Sequence, residues 1–255
     1  MSLISTSQLN VIIGQTQVCK NLSLDCNPGE VWGILGRNGK GKTTLLHTLA
    51  GLRAAQSGDV FLRQKNIKSL KRQQIAQQLG LLLQQHEDSF PSSVIDTVMS
   101  GRHPHMKQWQ WESAEDHQLV QTALEAIQLT HLAQRLTNQL SGGERQRVAM
   151  ATLLTQDPDI MLLDEPNSHL DLKYQIQLLD LLTNLAKEKQ KTILMTLHDL
   201  NLTARYCDKL IMLMGDGEVL VGDAESLLNE HNLLHLYDYP IAKINSQEHT
   251  VFTAD

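Results

Sequence analysis

The sequence predicts an α/β fold in which a parallel sheet is packed against helices. Short apolar segments, typical of buried strands, alternate along the chain with stretches whose apolar residues recur at helical spacing. A glycine-rich loop, residues 36–44, lies between one such strand and one such helix, where open parallel sheets often bind ligands. With 255 residues, the chain is long enough for one large domain or two small ones.

Composition and charge narrow the class of protein. Hydrophobic residues make up 41% and charged residues 20% of the chain, as in ordinary globular proteins. The net charge of −6 argues against a dedicated nucleic-acid binder. Three scattered cysteines suggest neither a disulfide framework nor a zinc site, consistent with a reducing compartment. We see no signal peptide and no apolar run of the ~18–20 residues that a membrane span needs.

The first third of the chain is predicted to contain short strands and turns around one strand–loop–helix unit. Apolar runs predict the strands, helical spacing predicts the helices, and glycine or proline marks the turns. We predict strands at 9–13, 18–24, 31–35, 60–62 and 81–83, helices at 42–50 and 69–79, and turns at 27–29 and 58–59.

In the middle of the chain, from about residue 86 to 139, the residue pattern changes and becomes strongly helical. Val120, Ala123, Leu124 and Ile127 recur at i, i+3, i+4 and i+7. A further helix is predicted from Thr130 through 132 and 136. We interpret this region as a helical insertion between strands of the α/β core.

The α/β pattern then resumes. A buried strand at 160–163 precedes an amphipathic helix at 172–188 that turns Ile176, Leu179 and Leu182 inward. Strands follow at 192–197 and 209–214, with a hairpin turn at 216–217. From about residue 224, one helix and a final strand at 241–252 form a tail.

The glycine-rich loop fits the phosphate-binding pattern G-x-x-x-x-G-K-[ST]. Glycines allow positive φ angles, so that the loop curls and its amides, with the helix N-terminus, point at phosphate oxygens. Lys42 would reach the β- and γ-phosphates, and the Thr43 hydroxyl would bind Mg²⁺. The nucleotide-binding residues predicted here are Gly36, Asn38, Gly39, Gly41, Lys42, Thr43 and Thr44.

Two carboxylates follow the apolar strand at 160–163. They are placed at the carboxyl edge of the sheet, where open α/β sheets bind ligands. Asp164 is predicted to hold Mg²⁺ through water, and Glu165 to act as general base for the attacking water. By itself such a strand is weak evidence, but the phosphate-binding loop upstream favours the catalytic interpretation.

The segment 140–147, LSGGERQR, matches the signature LSGG[QE][RQ]QR and begins a helix shortly before the carboxylate strand. With this segment, the chain resembles the nucleotide-binding subunits of ABC transporters over nearly its whole length. The resemblance implies an ATPase that binds ATP and Mg²⁺. It also implies an ATP-dependent head-to-tail dimer with a second copy of the chain, in which Ser141, Gly142 and Gly143 face the partner's nucleotide.

The resemblance assigns three further residues. Gln84 matches the glutamine that senses Mg²⁺ and water and links the core to the helical subdomain. Asp171 matches an aspartate that reaches across the dimer, and His198 a switch histidine that contacts the γ-phosphate. The implied fold is a P-loop NTPase (RecA-like) core with an antiparallel β subdomain and an inserted α-helical subdomain. We divide this single domain into a core (1–85 and 150–222), a helical signature subdomain (86–149) and a C-terminal tail (223–255).

The chain departs from the family pattern in three places. In the family, an aromatic residue about two dozen positions before the loop often stacks on adenine. Ile13 occupies that position in this chain. Arg37 replaces a common proline, and Lys40 a common small residue. None of these changes touches Lys42, Asp164, Glu165 or His198, so we expect an enzyme competent for hydrolysis.

Residues 89–105 and 198–208 resemble importers of iron–siderophores, haem and vitamin B12, which use large polytopic permeases; molybdate and tungstate importers share these features. The resemblance implies membrane permease subunits as partners, a substrate-binding protein indirectly, no nucleic acid, and a peripheral position on the cytoplasmic face of the bacterial inner membrane. His103 and His105 are expected to pack or to contact the permease. The main alternative is a soluble ABC ATPase acting as an assembly or scaffold factor.

Overall fold

The structure, a computed structural model, describes residues 1–83, 92–107, 109, 111–245 and 250–254. Its strands are β1 (Ile4–Ile13), β2 (Thr16–Cys26), β3 (Val31–Gly36), β4 (Ser57–Leu62), β5 (Lys65–Asn66), β6 (Leu79–Leu82), β7 (Ile160–Leu163), β8 (Thr192–Thr196), β9 (Lys209–Gly215), β10 (Glu218–Asp223), β11 (Ile241–Asn245) and β12 (Thr250–Ala254). Its α-helices are α1 (Lys42–Leu49), α2 (Arg72–Ala76), α3 (Val94–Met99), α4 (Ala114–Ala126), α5 (Gly142–Gln156), α6 (Leu172–Lys189), α7 (Leu200–Tyr206), α8 (Ala224–Leu227) and α9 (Glu230–Tyr237).

The largest sheet of the described residues has the strand order β10-β9-β3-β8-β7-β6. All its neighbouring pairs are parallel except the hairpin of β9 and β10. This confirms the predicted α/β fold with a parallel sheet, and the turn at 216–217 is the predicted hairpin turn. Parallel strands end at the same edge, so the segments after β3, β7 and β8 lie side by side.

The inner strands β3, β7 and β8 of this sheet are buried on both faces, which explains why they are largely apolar. On β3, Val31 and Leu35 pack into a core cluster shared with the helical insertion and α6. Trp32 and Ile34 point to the other face and pack with α1 and the antiparallel sheet. Because successive side chains on a strand alternate between faces, one short strand contributes to both cores.

Two further layers complete the predicted arrangement. An antiparallel sheet with the order β2-β1-β4-β5 covers α1 on one side. Helices α3, α4 and α5 lie between β6 and β7 in the sequence, as predicted for the helical insertion. Helix α5 runs without interruption to Gln156, so the subdomain boundary placed at 149/150 falls inside a helix.

The turn predicted at 58–59 is wrong, because both residues belong to β4. Gly58 has a φ of +81°, and a Cβ built on it would lie 2.3 Å from the Gln8 carbonyl oxygen. The pairing register of β1 and β4 shifts at this point. The glycine therefore marks an irregularity within a strand, where two backbones approach closely, and not a turn between elements.

Two predicted helices are much shorter than expected. The helix predicted at 69–79 is reduced to α2, since Leu79 begins β6 and pairs with Ile160 on β7. The helix predicted from Thr130 to 136 is a 3₁₀ turn at Thr130–Leu132, and Leu136 forms a β-bridge with Ser93. In both cases backbone pairing with a distant segment prevails over local helical spacing.

The tail contains two helices, α8 and α9, and a hairpin of β11 and β12, where one helix and one strand were predicted. Ile241 pairs with Ala254, so the two strands supply each other's backbone hydrogen bonds, which a lone strand would lack. Asn201 on α7 fastens this hairpin by bonding to both the N–H and the carbonyl of Phe252. Among the described residues, no helix combines the length and apolar character that a membrane span requires.

Candidate functional site

The glycine-rich loop joins the buried central strand β3 to α1. Gly39 and Gly41 have φ angles of +76° and +94°, in the left-handed region that glycine tolerates best. A Cβ on Gly41 would lie only 2.5 Å from a methyl group of Val18 on β2. Glycine is therefore required there by both backbone conformation and contact, and the loop can curl over the start of α1.

Lys42 lies inside this curl. Its Nζ donates to the carbonyl oxygens of Gly36 (2.8 Å) and Arg37 (3.4 Å). Burial lowers the pKa of the ammonium group, while the charges of Glu165 and Asp164 act in the opposite direction. The loop thus concentrates a buried positive charge where an anion would be bound by the backbone amides.

Asp164 connects the loop to the sheet edge after β7. Its Oδ2 accepts a hydrogen bond from the Thr43 hydroxyl at 2.5 Å, and its Oδ1 one from the Thr196 hydroxyl at 2.9 Å. Only 2% of Asp164 is exposed. The carboxylate is therefore held between α1 and β8 by two hydroxyl groups.

Glu165 and His198 form a hydrogen-bonded pair at the same edge. His198 Nε2 lies 2.7 Å from Oε1 of Glu165. Glu165 has a φ of +49°, which is unusual for a residue other than glycine. Its backbone N–H donates to the Thr196 hydroxyl at 2.7 Å. The pair brings together two residues that are 33 positions apart in the sequence.

The glycine-rich loop, Glu165 and His198 line an open cleft of about 430 Å³. The cleft is lined by Ile13, Asn38, Gly39, Gly41, Lys42, Thr43, Thr44, Glu165 and His198. Most of the predicted nucleotide-binding residues therefore meet in one place. Ile13, at the end of β1, is 40% exposed and forms part of the wall of this cleft.

The residues present fit a nucleotide and Mg²⁺ together. Gly39 and Gly41 form the curl that amide donors need around phosphate, and Lys42 supplies the charge. The Thr43 hydroxyl and the Asp164 carboxylate offer adjacent hard oxygen ligands, which Mg²⁺ prefers. No group of three His, Cys, Asp or Glu side chains among the described residues forms a metal site. Phosphate oxygens and water would have to complete the Mg²⁺ coordination.

The signature residues Ser141, Gly142 and Gly143 do not line this cleft. Ser141 caps α5: its Oγ accepts from the Glu144 N–H, and its own N–H donates to the Glu144 carboxylate. The hydrogen bond from the Ser141 N–H to the Glu144 carboxylate, with a further one from the Ser141 hydroxyl, lowers the pKa of Glu144. Gly142 is exposed, and a Cβ built on it would meet nothing within 4 Å. In one copy of the chain the signature is therefore an exposed helix start, separate from the loop at residues 36–44.

The other predicted residues have different surroundings. The Asp171 carboxylate accepts from the Tyr174 N–H and caps α6, and it does not line the cleft. Gln84 lies outside the described residues. His105 packs against the end of α5, with its Nε2 at 2.8 Å from the Gln156 carbonyl, in line with the packing role expected for it. The catalytic and ligand-binding roles of all these residues stay predictions.

Some contacts were missed by the sequence analysis. The Thr196 hydroxyl is hydrogen-bonded to both Asp164 and Glu165. The only sequence signal for this was a threonine at the end of an apolar strand. Arg37, which replaces a common proline, has its Nη1 3.8 Å from Oδ2 of Asp238 at the end of α9. The C-terminal tail therefore lies near the glycine-rich loop at Arg37 and contacts α7 at Asn201. Both contacts join segments that are distant in the sequence, so no local pattern reveals them.

Comparison with known proteins places these features in a family. A model of the ABC transporter family matches residues 19–168. The chain is 40% identical over 230 residues to the petrobactin import ATP-binding protein FpuD of Bacillus anthracis. The aligned residues cover 89% of this chain and 83% of that protein. A solved metal-chelate type ABC transporter in an inward-facing conformation superposes with a TM-score of 0.86 at 29% identity, over 100% of this chain and 98% of the solved chain.

A second solved structure is the ATP-binding cassette MJ0796, a dimer in a post-hydrolysis state bound to ADP and phosphate. It matches 87% of this chain and 98% of its own with a TM-score of 0.75 and 27% identity. Both structures share the α/β arrangement described above. The same architecture therefore occurs in proteins that bind nucleotide.

Proposed function

This chain belongs to the ABC transporter family, and we propose that it is the ATP-hydrolysing subunit of an importer for metal chelates. As a member of that family it is an ATPase with an ATP-binding cassette. The cargo class proposed is an iron–siderophore, with haem, cobalamin or an oxyanion as further members of the group. The petrobactin importer subunit and the metal-chelate transporter support this class.

One observation carries the hydrolytic part of the proposal. A single cleft brings Lys42 and Thr43 of the loop together with the Glu165–His198 pair. Bound ATP and Mg²⁺ supply the phosphoryl group and the metal charge that stabilises its transfer. Lys42 would bind the β- and γ-phosphates, Thr43 would bind Mg²⁺ through its hydroxyl, and Asp164 would hold Mg²⁺ through water. Catalysis then consists mainly of positioning and charge stabilisation.

Glu165 and His198 complete the site. Glu165 accepts a proton from the attacking water, and His198 contacts the γ-phosphate and orients the Glu165 carboxylate through their hydrogen bond. Gln84 is proposed to contact Mg²⁺ and water and to pass the state of the site to the helical subdomain. Thr44, Asn38 and the glycines of the loop bind the phosphates through the backbone.

A second copy of the chain is proposed to close the cleft. The signature at Ser141–Gly143 opens α5 at the surface, and the N-terminus of a helix suits a phosphate group supplied by a partner. Head-to-tail packing would place it over the partner's loop, with Asp171 at the boundary between the copies. The dimeric MJ0796 cassette supports this arrangement. Closure and reopening of the dimer would transmit motion to a polytopic permease at the cytoplasmic face of the membrane.

The first experiment is a detergent pull-down of the tagged chain from its native membranes, with the untagged chain as control. Recovery of a permease with many helices is expected, and the substrate-binding protein of the same system then identifies the cargo by its binding of ferric siderophores, haem, cobalamin or molybdate. Reconstituted with that permease, the wild-type chain should drive uptake and Glu165→Gln should not. Recovery of soluble partners alone would favour the assembly-factor alternative and withdraw the transport proposal.

A further inference from the structure

We propose that Thr196 is a positioning residue for hydrolysis, whose hydroxyl group fixes Asp164 and Glu165 at the same time. The inference rests on the hydrolytic role proposed for these two carboxylates. It does not depend on the permease or the cargo. No sequence motif of the chain includes Thr196, which lies two positions before His198 in the printed sequence.

Thr196 is the last residue of β8, and it is completely buried. The strand positions before it, Ile193 to Met195, are apolar and equally buried. Strand β8 runs parallel to β7, with Met195 opposite Leu163, so Thr196 reaches the sheet edge beside Asp164. A hydroxyl in such surroundings needs hydrogen-bond partners, since leaving it unpaired would cost free energy.

Both hydrogen-bonding capacities of this hydroxyl are used within the site. It donates its proton to Asp164 Oδ1 at 2.9 Å and accepts the backbone N–H of Glu165 at 2.7 Å. The roles are fixed, because an ionised carboxylate only accepts and an amide N–H only donates. One oxygen atom therefore sets the distance between the Asp164 side chain and the Glu165 backbone.

The consequences differ for the two acidic residues. Asp164 is held from both sides, by Thr196 on one oxygen and by Thr43 on the other, so that its carboxylate cannot turn within the site. Glu165 has a left-handed backbone, which is strained for a residue with a side chain. The hydrogen bond to Thr196 stabilises this backbone, and the backbone in turn directs the Glu165 side chain to His198.

The test compares Thr196→Val, which keeps the shape and removes the hydroxyl, with Thr196→Ser, which keeps the hydroxyl. Thr192→Val is the matched control: Thr192 is at the other end of the same strand, fully buried, and its hydroxyl bonds to the Asn27 carbonyl outside the site. ATP hydrolysis is measured without any membrane partner, as kcat and KM at several Mg²⁺ concentrations. Amide exchange of Glu165 is measured by NMR on the chain without nucleotide.

For Thr196→Val we expect kcat to fall about tenfold, the effect of one lost charge-assisted hydrogen bond, with little change in KM for ATP. The half-saturating Mg²⁺ concentration should rise, and the Glu165 amide should exchange about tenfold faster because its acceptor is gone. Thr196→Ser and Thr192→Val should keep kcat and Glu165 exchange close to wild type.

Three results would overturn the proposal: a Thr196→Val chain with wild-type kcat, an unchanged Glu165 exchange rate, or a Thr196→Ser chain as impaired as Thr196→Val. If Thr196→Val does not fold, Thr196→Ala replaces it in the same comparison. Failure of the importer proposal would leave these measurements unaffected, since they contain no permease.

Discussion

The imidazole Nε2 of His198 and the carboxylate Oε1 of Glu165 are 2.7 Å apart, although the two residues follow different strands. Glu165 comes directly after β7, and His198 comes two residues after the neighbouring parallel strand β8. The His198 side chain is 49% exposed and that of Glu165 18%. The pair therefore lies with the histidine on the open side of the cleft and the carboxylate deeper within it.

Glu165→Gln should abolish most hydrolysis while keeping ATP binding. Glutamine preserves the size of the side chain but is a far weaker proton acceptor, so kcat should fall about 10²-fold or more. ATP should then stabilise a closed dimer that persists. Phosphate release gives kcat, and gel filtration with and without ATP gives the oligomeric state.

Glu188→Gln is the matched control for that experiment, because Glu188 is an exposed glutamate on α6, away from the cleft. It should leave hydrolysis and the monomer–dimer distribution unchanged. Wild-type hydrolysis by Glu165→Gln would show that Glu165 is not the general base.

Gly142→Ala separates folding from dimer function. A Cβ at Gly142 meets nothing within 4 Å in the single chain, so the free energy of unfolding should change by no more than about 0.5 kcal/mol. In the proposed dimer, the same methyl group would lie against the partner's nucleotide, and hydrolysis should fall at least about tenfold. Thermal unfolding and phosphate release test the two effects separately.

The neighbouring glycine provides the contrast. A Cβ on Gly143 would lie 2.9 Å from the His169 carbonyl oxygen, so Gly143→Ala should destabilise the chain itself. If Gly142→Ala hydrolysed ATP normally, the proposed position of the signature over the partner's cleft would be wrong.

Ile13→Tyr should strengthen ATP binding. Ile13 is 40% exposed on the wall of the cleft, and a tyrosine ring there can stack on adenine, a contact worth about 0.5–1.5 kcal/mol. The dissociation constant for ATP should therefore fall about two- to tenfold. Titration with a fluorescent ATP analogue, in competition with ATP, measures the change.

Val221→Tyr serves as the control for that substitution. Val221 is an aliphatic residue of similar exposure on β10, and it does not line the cleft. It should leave the dissociation constant for ATP unchanged. Equal affinities of wild type and Ile13→Tyr would mean that adenine does not contact residue 13.

The Arg102–Asp116 pair should make stability depend on pH at the acidic end. The two side chains are 12% and 9% exposed, with Nε and Oδ1 at 2.7 Å. The hydrogen bond from Arg102, with further bonds from Ser113, lowers the pKa of Asp116 from 3.8 to about 2. Because the folded-state pKa is below the unfolded value, this stabilisation is present above about pH 4 and is lost as pH falls toward 2.

Asp116→Asn should therefore lower the free energy of unfolding at pH 7 by about 3 kcal/mol, since it leaves Arg102 without its anionic partner in a largely buried site. The difference between variant and wild type should shrink between about pH 4 and pH 2. Urea unfolding at a series of pH values measures both. The exposed Lys68–Asp59 pair supplies the control, because Asp59→Asn should change stability much less. A difference that does not vary with pH would contradict this account.

Local patterns were sufficient for much of the structure because the features in question are local. The glycine-rich loop, the strand before Asp164 and Glu165, and the capped start of α5 each combine a spacing rule with residue types that chemistry demands. The predicted helix at 42–50 and the strand at 160–163 were confirmed within one residue. The resemblance to a family then supplied roles for Gln84, Asp171 and His198, which spacing alone would not have assigned.

The errors arose where distant backbone pairing decides the local structure. Leu79 has helical spacing with Ile75, yet it begins β6 because it pairs with β7, 81 residues later in the chain. Gly58 resembles a turn residue, but the closeness of the β1 backbone explains it. Such pairings depend on the whole sheet, so a short window of sequence contains no signal for them.

The sequence by itself determined the chemical parts of this protein: the loop that binds phosphate, the two acidic residues, the signature and the order in which they occur. Only the tertiary structure decided how those parts are held in place. The buried Thr196 hydroxyl joins Asp164 to Glu165, Thr43 reaches Asp164 across 121 residues, and Ile13 is brought to the wall of the cleft. These relationships depend on strands that become neighbours through hydrogen bonding and burial, and sequence distance does not encode them.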